Sequence, residues 1–177
     1  MIESEFKSNI GMFLVCAELS KKNLIVMPTS GNTKGYDVVV LNPKTNKSTG
    51  VQVKCSDKKQ FPVMSSHWRD YTEKMEEKIL CDFVFVDISD ISKPRYFVLS
   101  DREVKNVLKS NIERYLDKYK EIHKLTSKQE VLEIEEKEKK KAQLWALKLR
   151  EIENYEGKWE TIVNKLSKND QIQRKST

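Results

Sequence analysis

Between residues 3 and 21 the apolar residues Phe6, Ile10, Phe13, Leu14 and Ala17 recur three and four apart, while Lys7, Ser8 and Lys22 take the other side. That period predicts a first helix. Asn23 leads into LIVMP, a short β-branched run ending at Pro28, which predicts a buried strand. Polar turn formers follow in TSGNTKG. Residues 36–41 (YDVVVL) and 49–55 (TGVQVKC) are strand-like, and the NPKTNKS between them is rich in turn formers, so the two predict an antiparallel hairpin. Side chains alternate along a strand, which puts Gln52 and Lys54 on one face of the second arm and Val51, Val53 and Cys55 on the other.

After a polar stretch containing Pro62, residues 67–80 (HWRDYTEKMEEKIL) predict an amphipathic helix and 82–88 (DFVFVDI) a strongly apolar strand, a helix crossing over to a buried strand. Residues 95–99 (RYFVL) predict another. Ser100, with Glu103 three positions later, supplies a capping box for a helix through Val104, Val107, Leu108, Ile112, Tyr115 and Leu116. Ser127 and Glu130 repeat the signature ahead of a long charged helix running through EEKEKKK to Ile152. Its stripe of Val131, Ile134, Ala142, Trp145, Leu149 and Ile152 fades between Glu135 and Lys141, which argues against a long regular coiled coil. Trp145 and Trp159 imply that part of this tail is buried. Gly157 interrupts it, and the terminal NDQIQRKST is expected to fray. The expected organisation is α/β, a central mixed sheet flanked by helices over residues 1–124, followed by a charged C-terminal helical extension over 125–177.

With 177 residues the chain can close a hydrophobic core without disulfides or a structural metal. Its net charge of +6 comes from 33 basic and 27 acidic residues, a weak preference for a polyanionic partner that lysine-rich solvated faces explain equally well. Cys16, Cys55 and Cys81 lie far apart and form no CxxC pattern, so neither a disulfide framework nor a zinc site is encoded. No signal-peptide order opens the chain, and no apolar run approaches a membrane span. The expectation is a soluble cytoplasmic protein without a membrane partner.

Asp37 opens the hairpin, and Gln52 and Lys54 share a face of its second arm. A divalent cation site needs such an arrangement, since magnesium takes hard oxygen ligands and keeps several waters. Asp37 is the expected principal ligand, joined by the side-chain oxygen of Gln52 and the carbonyl of Val53 where the strand edge opens. Lys54 would orient the attacking water and stabilise charge growing on a phosphate. A glutamine in place of a second acid leaves the site short of negative charge. Glu18 on the first helix is the expected supplier, one and two turns after Leu14 and Gly11; Gly11 has no side chain to keep that face from the sheet. The bland alternatives are a solvated Glu18 beside Lys21 and Lys22, an Asp37 that only marks a turn, and a His67 with a surface or packing role.

The segment GYDVVV followed by VQVK, with the preceding helix FLVCAEL, resembles the PD-(D/E)xK nuclease superfamily, which includes restriction endonucleases and archaeal Holliday-junction resolvases. The likeness is greatest to small bacterial proteins with a helical glutamate, an NTxGxD turn and strand, here Asn32-Thr33-Lys34-Gly35-Tyr36-Asp37, and a QVK strand, here Gln52-Val53-Lys54. It covers about half of the chain, residues 5–99. The resemblance implies a restriction-endonuclease-like core and phosphodiester hydrolysis with magnesium, manganese substituting. It implies Asp37 and Gln52 as ligands and Lys54 as catalytic lysine. Tyr36 stands where the signature has proline, and Gln52 where it more often has an acid. The expected substrate is DNA, in restriction, phage defence or repair. Double-strand cutting needs a second site, hence a homodimer or a partner subunit. Asn32, Lys34, Ser56, Lys58, Lys59 and Arg69 are the candidate nucleic-acid contacts, whereas Lys74 and Lys78, interleaved with Glu73, Glu76 and Glu77, suit a solvated face. Two rivals stand beside this reading: a catalytically inactive nuclease-fold subunit that binds DNA or a protein, and an adaptor working through the charged tail.

Overall fold

A computed structural model describes residues 3–30, 35–67, 69–137 and 142–167. The predicted first helix is α1, Ser4–Ser20, and four strands of the reading recur as β1 (Ile25–Pro28), β2 (Val38–Asn42), β3 (Lys47–Ser56) and β5 (Asp82–Asp87). With β6 (Arg95–Leu99) they form one sheet in the order β1-β2-β3-β5-β6. β2 and β3 are the antiparallel hairpin, from Val38 opposite Val51 to Asn42 opposite Lys47. β3 and β5 run parallel, Val51 beside Asp82 through Ser56 beside Asp87. Parallel neighbours need a long crossover, and here β4 (Gln60–Ser66) and α2 (Tyr71–Lys78) provide it. The chain is thus α/β, with a mixed central sheet flanked by helices.

Strand alternation sorts the sheet's side chains into two cores. Phe83, Phe85, Phe97 and Leu99 join Phe61, Met75, Leu108 and Ile112 on one face, under α2 and α3 (Asp101–His123). Val38, Val51, Val84, Val86 and Val98 pack on the other face with Val15 and Leu19 of α1 and with Ile162 and Leu166 of α6 (Glu160–Ser167). All six residues of β5 are buried, as expected of a strand covered on both sides. α1 lies so close to β3 that a Cβ at Gly11 would stand 2.5 Å from the Cβ of Cys55; the missing side chain permits the approach.

Several expectations are corrected. β1 is the last strand of the sheet, so Ile25 and Met27 face outward where a buried strand was predicted. α2 spans eight residues instead of fourteen; ahead of it the Asp70 side chain accepts the His67 N–H (2.9 Å). The polar stretch around Pro62 is β4. It pairs with β7 (Gln143–Lys148) in a separate two-stranded sheet whose register shifts between Pro62 and Met64, a bulge of the kind that tolerates a residue without an N–H.

β7 also replaces the middle of the expected long helix. The helical stripe through Ala142 and Trp145 loses to a period of two, in which Trp145 and Leu147 point inward and Leu144 outward. Trp145 donates its indole N–H to Ser66 Oγ at 2.8 Å, so a large aromatic is buried with its polar atom satisfied. The predicted capping box of α3 is present in full, Ser100 and Glu103 each bonding the other's backbone N–H. The second box, Ser127 with Glu130, opens the short α4 (Lys128–Lys137). α5 (Leu149–Ile152), a 3-10 turn and α6 complete the chain, and Trp159 is buried against the sheet. Residues of the C-terminal segment therefore belong to both cores. The terminal residues expected to fray lie outside the described residues. Among the described residues no helix is long and apolar enough to cross a membrane.

Candidate active site

The β2–β3 ladder ends at Val38 and Val51, and Asp37 stands one residue before it. Its N–H donates to the Val51 carbonyl (2.9 Å), and its own carbonyl accepts the Thr29 N–H (2.9 Å) and hydroxyl (3.1 Å). The backbone of Asp37 is therefore held from both sides. Beyond Val51 the carboxylate takes the place of the missing strand: Oδ2 accepts the Val53 N–H at 2.7 Å and the Gln52 side-chain N–H at 2.6 Å. The N–H and C=O of one strand residue point the same way, so the Val53 carbonyl opens on the side of Asp37. There β3 borders a cleft of about 630 Å³, lined by Asp37, Gln52, Val53, Lys54 and Cys55, by Thr29 and Ser30 after β1, by Pro62, and by Glu5, Ser8, Asn9 and Met12 of α1.

Asp37, Gln52, Val53 and Lys54 are thus brought together. Glu18 is not among the cleft-lining residues. Its carboxylate accepts from Lys21 Nζ at 2.7 Å, and it lies near Tyr96, whose hydroxyl pKa is raised by burial first and by this charge second. The α1 acid at the cleft is Glu5, thirteen residues earlier and so roughly 20 Å away along the helix axis. The Gly11 contact with Cys55 was a correct sign that α1 approaches the sheet; the direction in which the helix crosses β3 was not readable, and it decides which acid arrives.

Ser56 is buried, and its Oγ accepts the Lys58 N–H at 3.1 Å, so it serves the turn after β3. Lys58 and Lys59 line a separate hollow, and exposed Arg69 is not a cleft residue. Asn32 and Lys34 lie outside the described residues. A second hollow of about 330 Å³ is also lined by Gln52 and Lys54, with Glu77 and Lys78 beside them, so these two side chains border both spaces.

One contributor was missed. The Cys81 thiol donates to the Gly35 carbonyl at 3.0 Å, anchoring the chain two residues before Asp37. Burial pushes that thiol up to about 11, which keeps it a protonated donor at neutral pH. Gly35 has φ 100°, a conformation open to glycine and costly for side-chain-bearing residues; the GYD sequence carried that signal.

Among the described residues no three His, Cys, Asp or Glu side chains gather into a metal cluster. The donor set at the cleft is one carboxylate with a second nearby, an amide and a backbone carbonyl. Such hard oxygens suit magnesium, which binds through one or two carboxylates and keeps waters, and do not suit zinc's preferred nitrogen and sulfur ligands. Gln52 presents its amide nitrogen to Asp37; a half-turn of the amide presents the oxygen instead. Compared with protein-family models, curated proteins and solved structures, the chain finds no match.

Proposed function

We propose that the protein is a divalent-cation-dependent phosphodiesterase acting on DNA, a distant relative of the PD-(D/E)xK nucleases. The observation that carries this reading is the convergence of the Asp37 carboxylate, the Val53 carbonyl, Gln52 and Lys54 at the open edge of β3, beside one cleft. Asp37, Val53, Gln52 and Glu5 are the residues that would hold magnesium or manganese. Bound there, the cation would supply Lewis acidity toward a phosphate oxygen and a more acidic water. Glu5 contributes the second negative charge that Gln52 lacks. Lys54 carries a positive charge to the side where charge grows on the phosphate, and the Thr29 and Ser30 hydroxyls border the same cleft as further donors. Cutting both strands of a duplex calls for a second copy or a partner subunit. Restriction, phage defence or repair is the setting that such an activity serves.

A second reading rests on one contact. Oδ2 of Asp37 already accepts two hydrogen bonds from β3, so the aspartate also works as a strap that closes the strand edge without a cation. A nuclease-like subunit that binds DNA and does not cut would keep such a strap.

The deciding experiment incubates the pure protein with supercoiled, linear and branched DNA and with RNA, in magnesium or manganese, beside Asp37→Asn and Lys54→Ala. Cation-dependent cutting, reduced about 10²–10³-fold in each variant, is the expected result. Binding without cutting on every substrate would replace the hydrolase with the non-catalytic subunit.

A further inference from the structure

Where β3 ends, Lys58 and Lys59 turn the chain into β4, with Lys59 in the left-handed conformation at φ 54°. The Lys59 carbonyl accepts the Leu149 N–H at 2.9 Å, which ties this turn to the end of β7. As a result Lys148 and Arg150, from the far end of the sequence, come to line one open hollow of about 410 Å³ with Lys58 and Lys59; among the described residues Glu153 is the one carboxylate in its lining. Other acids nearby have partners of their own, although the charge of Lys58 also acts on Asp57. Asp57 pairs with Lys7 at 2.8 Å, Glu156 with Arg95 at 2.7 Å, and Glu151 accepts from Asn111 and from the Lys148 N–H, each at 2.8 Å. Among the described residues none of the four cations forms an ion pair.

Four like charges gathered around one carboxylate, with no ion pair among the described residues, repel one another, and an anion between them would relieve that repulsion. The hollow and the cleft are separate, but β4 borders both. Gln60 lines the hollow and Pro62 the cleft; both are exposed on the same face of β4, about 7 Å apart along the strand. Lys58 follows Lys54 by four residues, a reach of at most about 14 Å, which corresponds to roughly four nucleotides of one strand at 3.4 Å each.

We propose that Lys58, Lys59, Lys148 and Arg150 form a phosphate-binding subsite that holds the nucleic-acid backbone a few nucleotides from the scissile bond. The inference rests on the phosphodiesterase reading for its substrate class, and it assigns Lys148 and Arg150 of the C-terminal segment a binding role. Its contacts are sequence-blind, so they set affinity and register and leave base preference untouched.

The test measures fluorescence anisotropy of labelled duplex DNA, single-stranded DNA and RNA with the full-length protein in EDTA, across a salt series, for the wild type, Lys148→Gln/Arg150→Gln and Asp37→Asn. Circular dichroism confirms the fold of each. In the double variant the slope of log affinity against log salt is expected to fall by about 1.8 on duplex, at about 0.9 per phosphate contact, or by about 1.4 on a single strand at about 0.7 each. The ligand showing the larger loss of affinity identifies the nucleic acid held. Glu153→Gln, which removes the opposing charge, is expected to tighten binding. A double variant that folds and keeps the wild-type affinity and slope on all three ligands overturns the subsite, even if the wild type cuts DNA. A reduced slope in a protein that cuts nothing upholds the subsite and removes the hydrolase alone.

Discussion

At Asp37 one side chain has two separable duties. Asp37→Asn keeps a hydrogen-bonding group near the Val53 N–H and removes the charge. Asp37→Ala leaves that N–H without its partner and is expected to cost a further 1–3 kcal/mol, about the penalty of an unsatisfied donor, read as a lower urea midpoint for alanine than for asparagine. Gly11 has one duty, and it is steric. Gly11→Ala would put a Cβ 2.5 Å from the Cβ of Cys55, an atom close to the backbone that cannot swing aside. Helix and strand must separate, at a cost of about 1–3 kcal/mol and a melting temperature lower by roughly 2–12 °C; calorimetry checks it. Asp37, Gln52, Lys54 and Gly11 were all legible in the sequence because local patterns mark them, a turn before a strand, a period of two and a glycine in a helix. Glu5 was not, since choosing among the acids of α1 needs the angle at which the helix crosses β3, and no local pattern encodes it.

Among the elements, those with strong local signals were read correctly and those defined by a distant partner were not. α3 carries its own start signal, and Ser100→Ala should lower stability by about 1 kcal/mol, seen as a shift of the urea midpoint with unchanged slope. β5 is apolar throughout and could be little else than a covered strand. β4 and β7 are legible only as a pair. Gln60 through Ser66 contains a proline and three polar residues, and Gln143 through Lys148 follows a lysine-rich run with a helical pattern in the sequence, so each alone reads as loop or helix. Paired, they place Phe61 and Leu147 side by side in one core. The exposure of β1 was equally hidden, because an edge strand and a central strand of four apolar residues look alike until strand order is known.

Across the whole molecule, α6 is fastened to the central sheet by Lys165, whose Nζ lies 2.5 Å from Oδ1 of the fully buried Asp82. Oδ2 of Asp82 has no hydrogen-bond partner among the described residues. Burial raises the Asp82 carboxyl above its ordinary value and Lys165 pulls it back. Because the folded state then binds a proton more readily than the unfolded one, this group's contribution to stability is greatest in acid and is lost as pH rises through the raised folded value. Lys165→Met removes the countercharge and raises that value further. The lysine is half exposed, so solvent screens its share, and the expected loss is about 1–2 kcal/mol at pH 7. It shrinks as pH falls through the raised folded value and the carboxyl protonates; urea unfolding across an acid-to-neutral pH series measures the difference. Ending the chain at Lys124 is a harsher change. It strips Trp145, Leu147 and Ile152 from one core and Trp159, Ile162 and Leu166 from the other. At about 2–5 kcal/mol for each large side chain lost, the sum reaches or exceeds the 5–15 kcal/mol of a typical domain, and the fragment is expected to be unfolded by circular dichroism.

The pairing of β4 with β7 also sets a timetable on the ribosome. Roughly 80 residues separate the two strands, and at 5–20 residues per second their synthesis takes about 4–16 s. Throughout that interval the nascent chain carries Phe61 and its neighbours without the strand that covers them. The newborn protein thus passes through a window of several seconds in which an apolar sheet edge is open to chaperones, or to the same edge on a neighbouring chain.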